Sequence, residues 1–119
     1  LSFFYDMNAI WNRHVRNNVR ILLYNNEGGQ TFHWNAAKEI ETLPLHTSAE
    51  HHTNAKGWVE SRGFKYLSAA NKEEFDSLLP EFTTTHSDVP ILFEVFTKKE
   101  MDANILHEYY EICRQSLLS

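Results

Sequence analysis

Residues 19–34 read VRILLYNNEGGQTFHW and change character halfway. Residues 19–25 form a short, nearly continuous apolar run, which is typical of a strand covered on both faces of a sheet. Two asparagines, an acid and two glycines follow directly. Ligands of open parallel sheets bind beyond the carboxyl ends of the strands. The stretch therefore predicts a buried strand that delivers Asn25, Asn26, Glu27, Gly28 and Gly29 to a ligand-binding edge.

The rest of the chain alternates predicted helices and strands. Apolar residues at intervals of three and four predict a helix over residues 2–17. Residues 26–46 hold no period and predict a long loop. Thr47 and Glu50 form a capping-box pattern for a helix over residues 48–62 that Gly63 ends.

The second half of the chain continues this alternation. Residues 64–69 predict a half-exposed edge strand, and Asn71 with Glu74 caps the helix that follows. Residues 90–97 predict the third strand, and Thr97 with Glu100 caps a last helix. The buried positions predicted for the two helices are Phe75, Leu78, Leu79 and Phe82, then Ile105, Tyr109, Ile112 and Cys113. Alternating helices and strands predict an α/β fold, a parallel sheet of about three strands with helices on both faces, in the order first, third, second.

Composition narrows the class of protein. The 119 residues predict a single domain over residues 1–119. A net charge of −5 disfavours nucleic acid as a partner. One cysteine and no apolar run near the roughly 18 residues of a membrane span predict a cytoplasmic protein without membrane contact. The abrupt patterned start, LSFFYDMNAIW, predicts a piece cut from a longer protein.

The asparagines and glycines after the first strand have two interpretations. Asn-Asn before Gly-Gly is typical of a plain turn. The same residues also offer amide oxygens and an unhindered backbone, which suit Mg²⁺ carrying a diphosphate.

The spacing of these residues resembles the diphosphate-binding domain of thiamine-diphosphate (ThDP) enzymes. That motif runs Gly-Asp-x-Ser, then a helix and a strand, then Asn-Asn, and here LS at residues 1–2 precedes NN at residues 25–26. The fit requires Gly-Asp directly before Leu1. The resemblance implies that the Asn26 side chain and the Gly28 carbonyl bind Mg²⁺ or Mn²⁺. It also implies that Leu1 and Ser2 meet the diphosphate.

Within this superfamily, LSFFYDMNAIWN and NNEGGQTFHW are most similar to 2-succinyl-5-enolpyruvyl-6-hydroxy-3-cyclohexene-1-carboxylate synthases of menaquinone synthesis. The resemblance implies the C-terminal portion of such an enzyme. The cofactor-binding stretch would then extend through Gly29, Gln30, Thr31 and Phe32. Thr31 departs from the usual apolar residue, and HWN at residues 33–35 departs from an apolar continuation. These departures bear on the substrate more than on the cofactor.

The resemblance further implies decarboxylation of 2-oxoglutarate and addition of the succinyl-semialdehyde carbanion equivalent to isochorismate. The glutamate that activates the cofactor belongs to another domain in that family. We therefore expect no catalytic residue and no turnover in these 119 residues alone. The full-length enzyme is expected to be a homodimer or homotetramer, and a bare apolar strand edge predicts self-association of the present chain.

Alternatives remain open at this point. A ThDP-dependent 2-oxo-acid decarboxylase or acetolactate-synthase-like enzyme fits the same motif, and a non-catalytic flavodoxin-like module fits the fold. Glu27 is either a general base or a solvated loop acid. The histidines around Glu50, which are His46, His51 and His52, match no zinc signature. Cys113 is expected to be a buried, inert thiol. Phe32 and Trp34 either line an active-site mouth or cover the end of the sheet.

Overall fold

The computed structural model describes residues 1–29 and 49–118. Its helices are α1 (Ser2–Asp6), α2 (Lys56–Glu60), α3 (Lys72–Phe82) and α4 (Lys99–Leu118), with a 3-10 turn at Met7–Ile10. Its strands are β1 (Arg20–Asn25), β2 (Lys65–Ala69) and β3 (Ile91–Phe96). The chain divides into two compact units. The sheet unit contains Leu1–Asn25 and His52–Phe96, and the loop-helix unit contains Asn26–His51 and Thr97–Ser119.

The sheet unit has an α/β fold built on three parallel strands. The strand order is β1-β3-β2, so the last strand in sequence is the central one. Phe93 of β3 pairs with Leu22 of β1 on one side and with Leu67 of β2 on the other. This confirms the predicted fold class, strand order and edge position of β2.

One face of the sheet packs against α3. Phe93 is fully buried, its ring stacks on Phe75 with centroids 5.2 Å apart, and Phe82 lies 5.5 Å away. The cluster also contains Leu67 and Leu78. Of the predicted stripe on this helix, Leu79 alone is exposed, at 36%.

The opposite face of the sheet packs against α2 and the N-terminal residues. Leu23 and Leu92 form its centre with Val59 of α2. Phe4 and Val15 of the predicted first helix pack against this cluster from the N-terminal side. Both faces of the sheet therefore carry helices within this unit.

Two predicted helix ends are confirmed in atomic detail. The Asn71 side chain accepts a hydrogen bond from the Glu74 N–H at 2.9 Å and caps α3. After α2, Gly63 adopts φ +81° and donates to the Glu60 carbonyl, while Phe64 donates to the Val59 carbonyl. These two bonds form a Schellman motif, which ends a helix at a glycine.

The predicted N-terminal helix over residues 2–17 is too long. α1 ends at Asp6, and the 3-10 turn ends at Ile10. Asn12 opposes any helix beyond this turn, because its amide donates to the Ala9 carbonyl and its oxygen accepts from the His14 N–H. Local side-chain bonds of this kind compete with helical backbone bonds.

The predicted helix over residues 48–62 begins late, at Lys56. Ala49 has φ +48°, which no right-handed helix contains. The His51 N–H donates to the Glu27 carbonyl at 3.0 Å instead of to a helical partner. The predicted cap at Thr47 lies outside the described residues.

The last helix also differs from its prediction. α4 begins at Lys99, and the Thr97 hydroxyl donates to the Asp102 carboxylate rather than acting in a capping box with Glu100. Ile105, Tyr109 and Ile112 are 62%, 60% and 65% exposed, so their predicted burial is wrong. The prediction of a helix from the apolar spacing was correct. The described residues, however, leave the apolar stripe of this helix exposed.

β1 is covered on one face only. Leu22 and Tyr24 are 40% and 62% exposed, so the predicted coverage of this strand on both faces is wrong. The reason is that α3 packs over β2 and β3. Throughout residues 1–29 and 49–118, we find no helix that combines the length and apolarity needed to cross a bilayer.

Candidate functional site

The carboxyl end of β1 carries a buried polar side chain. Asn25 is 3% exposed, and its amide nitrogen donates two hydrogen bonds of 2.8 Å, one to Glu94 Oε1 and one to the Thr53 carbonyl. The end of β1 is thereby tied both to the central strand and to the segment before α2.

Glu94 lies at the centre of this arrangement. It is fully buried on β3, in register with Leu23 of β1 and Ser68 of β2. Its carboxylate accepts the Ala55 N–H on both oxygens, at 3.2 and 3.0 Å, and the Tyr66 hydroxyl at 2.6 Å. A buried carboxylate is tolerated only when its oxygens are hydrogen-bonded, and here neutral donors meet both.

Tyr66 is affected by this neighbour. Burial raises the pKa of its hydroxyl well above the usual 10.0, and the hydrogen bond and negative charge of Glu94 raise it further. Loss of the Tyr66 proton would place a second anion against Glu94. The hydroxyl therefore stays a donor through the neutral range.

Sequence reasoning missed this network. A signal was present, because Glu94 is the one acid in the apolar run PILFEVF at residues 90–96. A charged residue within a strand that is buried on both faces requires polar partners. Asn25, at the end of the neighbouring strand, was an available partner in the sequence.

The loop-helix unit contains the other polar cluster. Glu27 has φ +60°, a left-handed backbone conformation, and the chain bends at residues 27 and 28. The Glu27 carbonyl accepts from the His51 N–H at 3.0 Å and from Lys99 Nζ at 3.5 Å. Lys99 is 6% exposed and forms an ion pair with Glu50 at 3.3 Å. The main-chain carbonyl of Glu27 therefore holds this bend in place, because it accepts both hydrogen bonds.

The predicted site residues are distributed over both units. Asn26 and Gly29 are half-buried and Gly28 is buried in the loop-helix unit, whereas Leu1 and Ser2 begin α1 in the sheet unit. Gln30, Thr31 and Phe32 lie outside the described residues, as do His33 and Trp34. The described structure brings together Asn25, Thr53, Ala55, Tyr66 and Glu94.

The donor chemistry around Asn26 suits a hard divalent cation. Mg²⁺ prefers oxygen ligands and commonly takes one or two from the protein beside substrate phosphates. Asn26 supplies a carboxamide oxygen, and Gly28 supplies a main-chain carbonyl two residues later, after the left-handed residue Glu27. The residues present therefore fit a magnesium-diphosphate group in their chemistry.

The described residues form no histidine or cysteine metal site. Among residues 1–29 and 49–118, no three His, Cys, Asp or Glu side chains are grouped so that they could hold a metal ion. His46 lies outside those ranges. Cys113 is half-buried and unoxidised.

A pocket of about 430 Å³ lies at the amino ends of the strands, opposite Asn25. The Arg62 guanidinium stacks over Trp58 at 4.4 Å and over Trp11 at 4.8 Å. These contacts hold the N-terminal segment against α2. The pocket is lined by Ile10, Trp11, Asn12, Val15, Ser61, Arg62, Gly63 and Pro90.

Comparison with known proteins gives close relatives. The chain is 47% identical to a 2-succinyl-5-enolpyruvyl-6-hydroxy-3-cyclohexene-1-carboxylate synthase from Phocaeicola vulgatus over 92% of its length. The corresponding values are 46% over 97% for the synthase of Bacteroides thetaiotaomicron and 33% over 96% for that of Christiangramia forsetii. No family model and no solved structure matches the chain.

These matches cover only part of the relatives. The chain spans 20%, 21% and 20% of the length of the three synthases, respectively. Its similarity to them extends over nearly all of its own residues. This chain is therefore a homologue of one segment, about a fifth in length, of the 2-succinyl-5-enolpyruvyl-6-hydroxy-3-cyclohexene-1-carboxylate synthases.

Proposed function

We propose that this chain is the diphosphate-binding part of a ThDP- and Mg²⁺-dependent synthase of menaquinone synthesis. The whole enzyme would decarboxylate 2-oxoglutarate and add the resulting four-carbon unit to isochorismate. The observation that carries the proposal is the 46–47% identity to enzymes named as this synthase over nearly the whole chain. Those names favour the synthase over a decarboxylase or a non-catalytic module.

The fold supports a ligand at the carboxyl edge of the sheet. β1 is parallel to its neighbour and ends at Asn25, so Asn26 is the first residue beyond the strand. Loops in this position bind ligands in open α/β sheets, because the strand ends present main-chain groups at one edge.

In this proposal the described site residues have defined tasks. The Asn26 carboxamide and the Gly28 carbonyl would hold Mg²⁺, and Gly29 would let the backbone come close to the diphosphate. The Leu1 and Ser2 N–H groups, with the Ser2 hydroxyl, would face the diphosphate. Bound ThDP would supply the carbanion stabilisation that decarboxylation of a 2-oxo acid requires. The chain itself would orient the cofactor and contribute no proton-transferring group.

The experiment compares two asparagines that flank β1, Asn26 after the strand and Asn18 before it, in the complete gene product. Asn26→Ala is expected to raise the Mg²⁺ concentration for half-maximal synthase activity at least tenfold, because a ligand oxygen is lost. Asn26→Asp keeps a hard oxygen and should preserve most of the Mg²⁺ response. Asn18→Ala, at the amino end of the strand, is the matched control and should stay within twofold of wild type.

The assay follows consumption of isochorismate in the presence of 2-oxoglutarate, after removal of ThDP and Mg²⁺ and their stepwise return. Equal Mg²⁺ dependence of Asn26→Ala and wild type would remove Asn26 from the metal site. Full activity without added ThDP or Mg²⁺ would refute the proposed function itself.

We also propose that the chain self-associates through β1. Leu22 and Tyr24 expose apolar surface on a strand whose outer edge pairs with no other described strand. Strands with an open apolar edge recruit further strands or apolar surfaces.

A further inference from the structure

The pocket at the amino ends of the strands has no task in the function proposed above. All of its lining residues lie in Leu1–Asn25 or His52–Phe96, so it belongs entirely to the sheet unit. Its volume of about 430 Å³ lies within the range of small-molecule sites, which is roughly 300–1,000 Å³. The contacts of this one unit therefore define what the pocket can bind.

Arg62 is the one charged residue among the described residues that line this pocket. Its Cζ atom lies 4.4 Å from the centre of the Trp58 ring and 4.8 Å from that of Trp11. Aromatic rings attract a guanidinium through its charge, but a ring face is at best a weak acceptor for its N–H groups. The two indoles therefore fix the position of the cation without meeting its hydrogen-bonding requirement.

The guanidinium of Arg62 lacks the acceptors that a partly buried arginine requires. Its Nε atom is buried without a hydrogen-bond partner, and within residues 1–29 and 49–118 no carboxylate forms an ion pair with this side chain. Arginine presents five N–H donors in a planar fork and no acceptor of its own. A buried donor without an acceptor is unfavourable, so a bound acceptor would stabilise this arrangement.

The sequence beside the pocket is positively charged. Residues 7–26 contain Arg13, Arg16 and Arg20 and no Asp or Glu, although the whole chain has a net charge of −5. Arg16 directly follows Val15, which lines the pocket. The local charge therefore favours an anion at this end of the sheet.

The end of α2 also borders the pocket and limits the charge of that anion. The last four carbonyls of α2 all accept hydrogen bonds from residues 61–64, so they do not repel a ligand as free acceptors would. The end of a helix nevertheless carries partial negative charge. One cation in this place suits a carboxylate with a single charge better than a phosphate dianion.

The rest of the lining suits a small apolar body. Ile10, Trp11, Val15 and Pro90 contribute mostly apolar surface. Asn12 adds one polar group, because its amide nitrogen donates to the Ala9 carbonyl and a second amide hydrogen remains. The pocket therefore offers a cationic end and an apolar wall to the same ligand.

We propose that this pocket binds a small organic acid. The carboxylate pairs with the N–H groups of Arg62, and the apolar body lies against Trp11, Val15 and Pro90. Arginine recognises carboxylates in this way because parallel N–H groups of its planar fork meet both oxygens. This inference goes beyond the proposed function and does not depend on it.

The test follows the binding of para-fluorobenzoate to the complete gene product by fluorine NMR. The neutral comparison is para-fluorobenzamide, which has the same shape without the charge. Arg62→Gln removes the cation, and Arg16→Gln is the matched control, since it removes the same charge from an exposed residue that does not line the pocket. Circular dichroism checks that each variant is folded.

We expect wild type and Arg16→Gln to bind para-fluorobenzoate with dissociation constants of about 1 mM or tighter, equal within twofold. Arg62→Gln should weaken this binding at least tenfold, because a charge-assisted hydrogen-bonded pair is lost. The benzamide should bind wild type at least tenfold more weakly than the benzoate does. Inorganic phosphate at the concentration of the benzoate should not displace it.

A second pair of variants leaves Arg62 in place. Ser61 is exposed and lines the pocket, so Ser61→Asp adds a negative charge there and Ser61→Asn adds nearly the same shape without charge. Ser61→Asp should weaken benzoate binding at least fivefold, whereas Ser61→Asn should stay within twofold of wild type. If Arg62→Gln does not fold, this pair decides.

Any of four results would overturn the inference. These are equal benzoate affinity of wild type and folded Arg62→Gln, equal affinity of Ser61→Asp and Ser61→Asn, equal binding of the benzamide and the benzoate, and no wild-type binding at about 10 mM benzoate. Displacement of the benzoate by inorganic phosphate would overturn the assignment of the ligand as a carboxylate.

Discussion

The two glycines on either side of α2 should respond in opposite directions to the same substitution. Gly57 is a helical residue and Gly63 has φ +81°, and a Cβ at either position meets nothing within 4 Å. Steric clash is therefore absent at both sites. Any difference between Gly57→Ala and Gly63→Ala comes from backbone conformation alone.

The magnitudes follow from that conformation. An L-residue in the left-handed region costs roughly 1–2 kcal/mol, and the stiffer unfolded chain returns about 0.4–1 kcal/mol of it. We expect Gly63→Ala to lower the free energy of unfolding by about 1 kcal/mol. Gly57→Ala should raise it by about 0.5 kcal/mol, less than the interior value of ~1 kcal/mol because the helix is short.

The assay is urea unfolding of the chain at low micromolar concentration, followed by tryptophan fluorescence. With slopes of about 1–3 kcal/mol per molar urea, the two variants should differ in midpoint by roughly 0.5–1.5 M. Gly63→Asn should lie between Gly63→Ala and wild type, since asparagine tolerates this region better than alanine. The reasoning fails if the two alanine variants shift in the same direction, or if Gly63→Ala unfolds like wild type.

Two further predictions concern Tyr66 and β1. Because burial and Glu94 raise the pKa of Tyr66 in the folded state, the stability it contributes is complete below the unfolded value of 10.0 and is lost as pH rises above it. We therefore expect one tyrosine to ionise only when the protein unfolds at alkaline pH, as a step in the absorbance at about 295 nm. Tyr66→Phe should abolish this absorbance step. Ionisation of Tyr66 in the folded protein would contradict the prediction. Tyr24→Lys places a charge on the exposed face of β1 and should shift sedimentation velocity at high concentration toward the monomer, while Val89→Lys, at a site 38% exposed, should leave it unchanged. A wild-type chain that is strictly monomeric would argue against self-association through β1.

The parts of the fold that the sequence predicted are those in which local signals and packing agree. Residues 64–69 alternate as an edge strand should, and Asn71 with Glu74 marks the start of α3 correctly. The strand order followed from ranking the runs by apolarity, which put residues 19–25 and 90–97 in the interior and residues 64–69 outside.

The errors arise where a local pattern competes with contacts from elsewhere. The Thr47–Glu50 pattern predicted a helix start, but His51 bonds to Glu27, which is far away in sequence. The apolar stripe of α4 has helical spacing, but spacing cannot tell whether another surface covers Ile105 or Tyr109. Glu94 was missed because it was counted as part of an apolar strand rather than as a charge that needs partners.

The candidate site was predictable only in its position along the chain. Asn25 and Asn26 stand where a strand ends, and the sequence showed this. The hydrogen bonds that hold the strand end arise from residues 53, 55, 66 and 94, which meet only when the sheet forms. No spacing rule connects them.

The shared carboxylate of Glu94 also constrains how this sheet can change during evolution. Replacing it with an apolar residue leaves the buried Asn25 amide and the buried Ala55 N–H without this acceptor, each at a cost of roughly 1–3 kcal/mol. The half-buried Tyr66 hydroxyl loses its acceptor as well. A natural protein has about 5–15 kcal/mol of stability in total, so such a step is costly unless positions 25 and 66 change in the same lineage. These positions are thus expected to drift as a group or not at all, whatever ligand the neighbouring loop comes to hold.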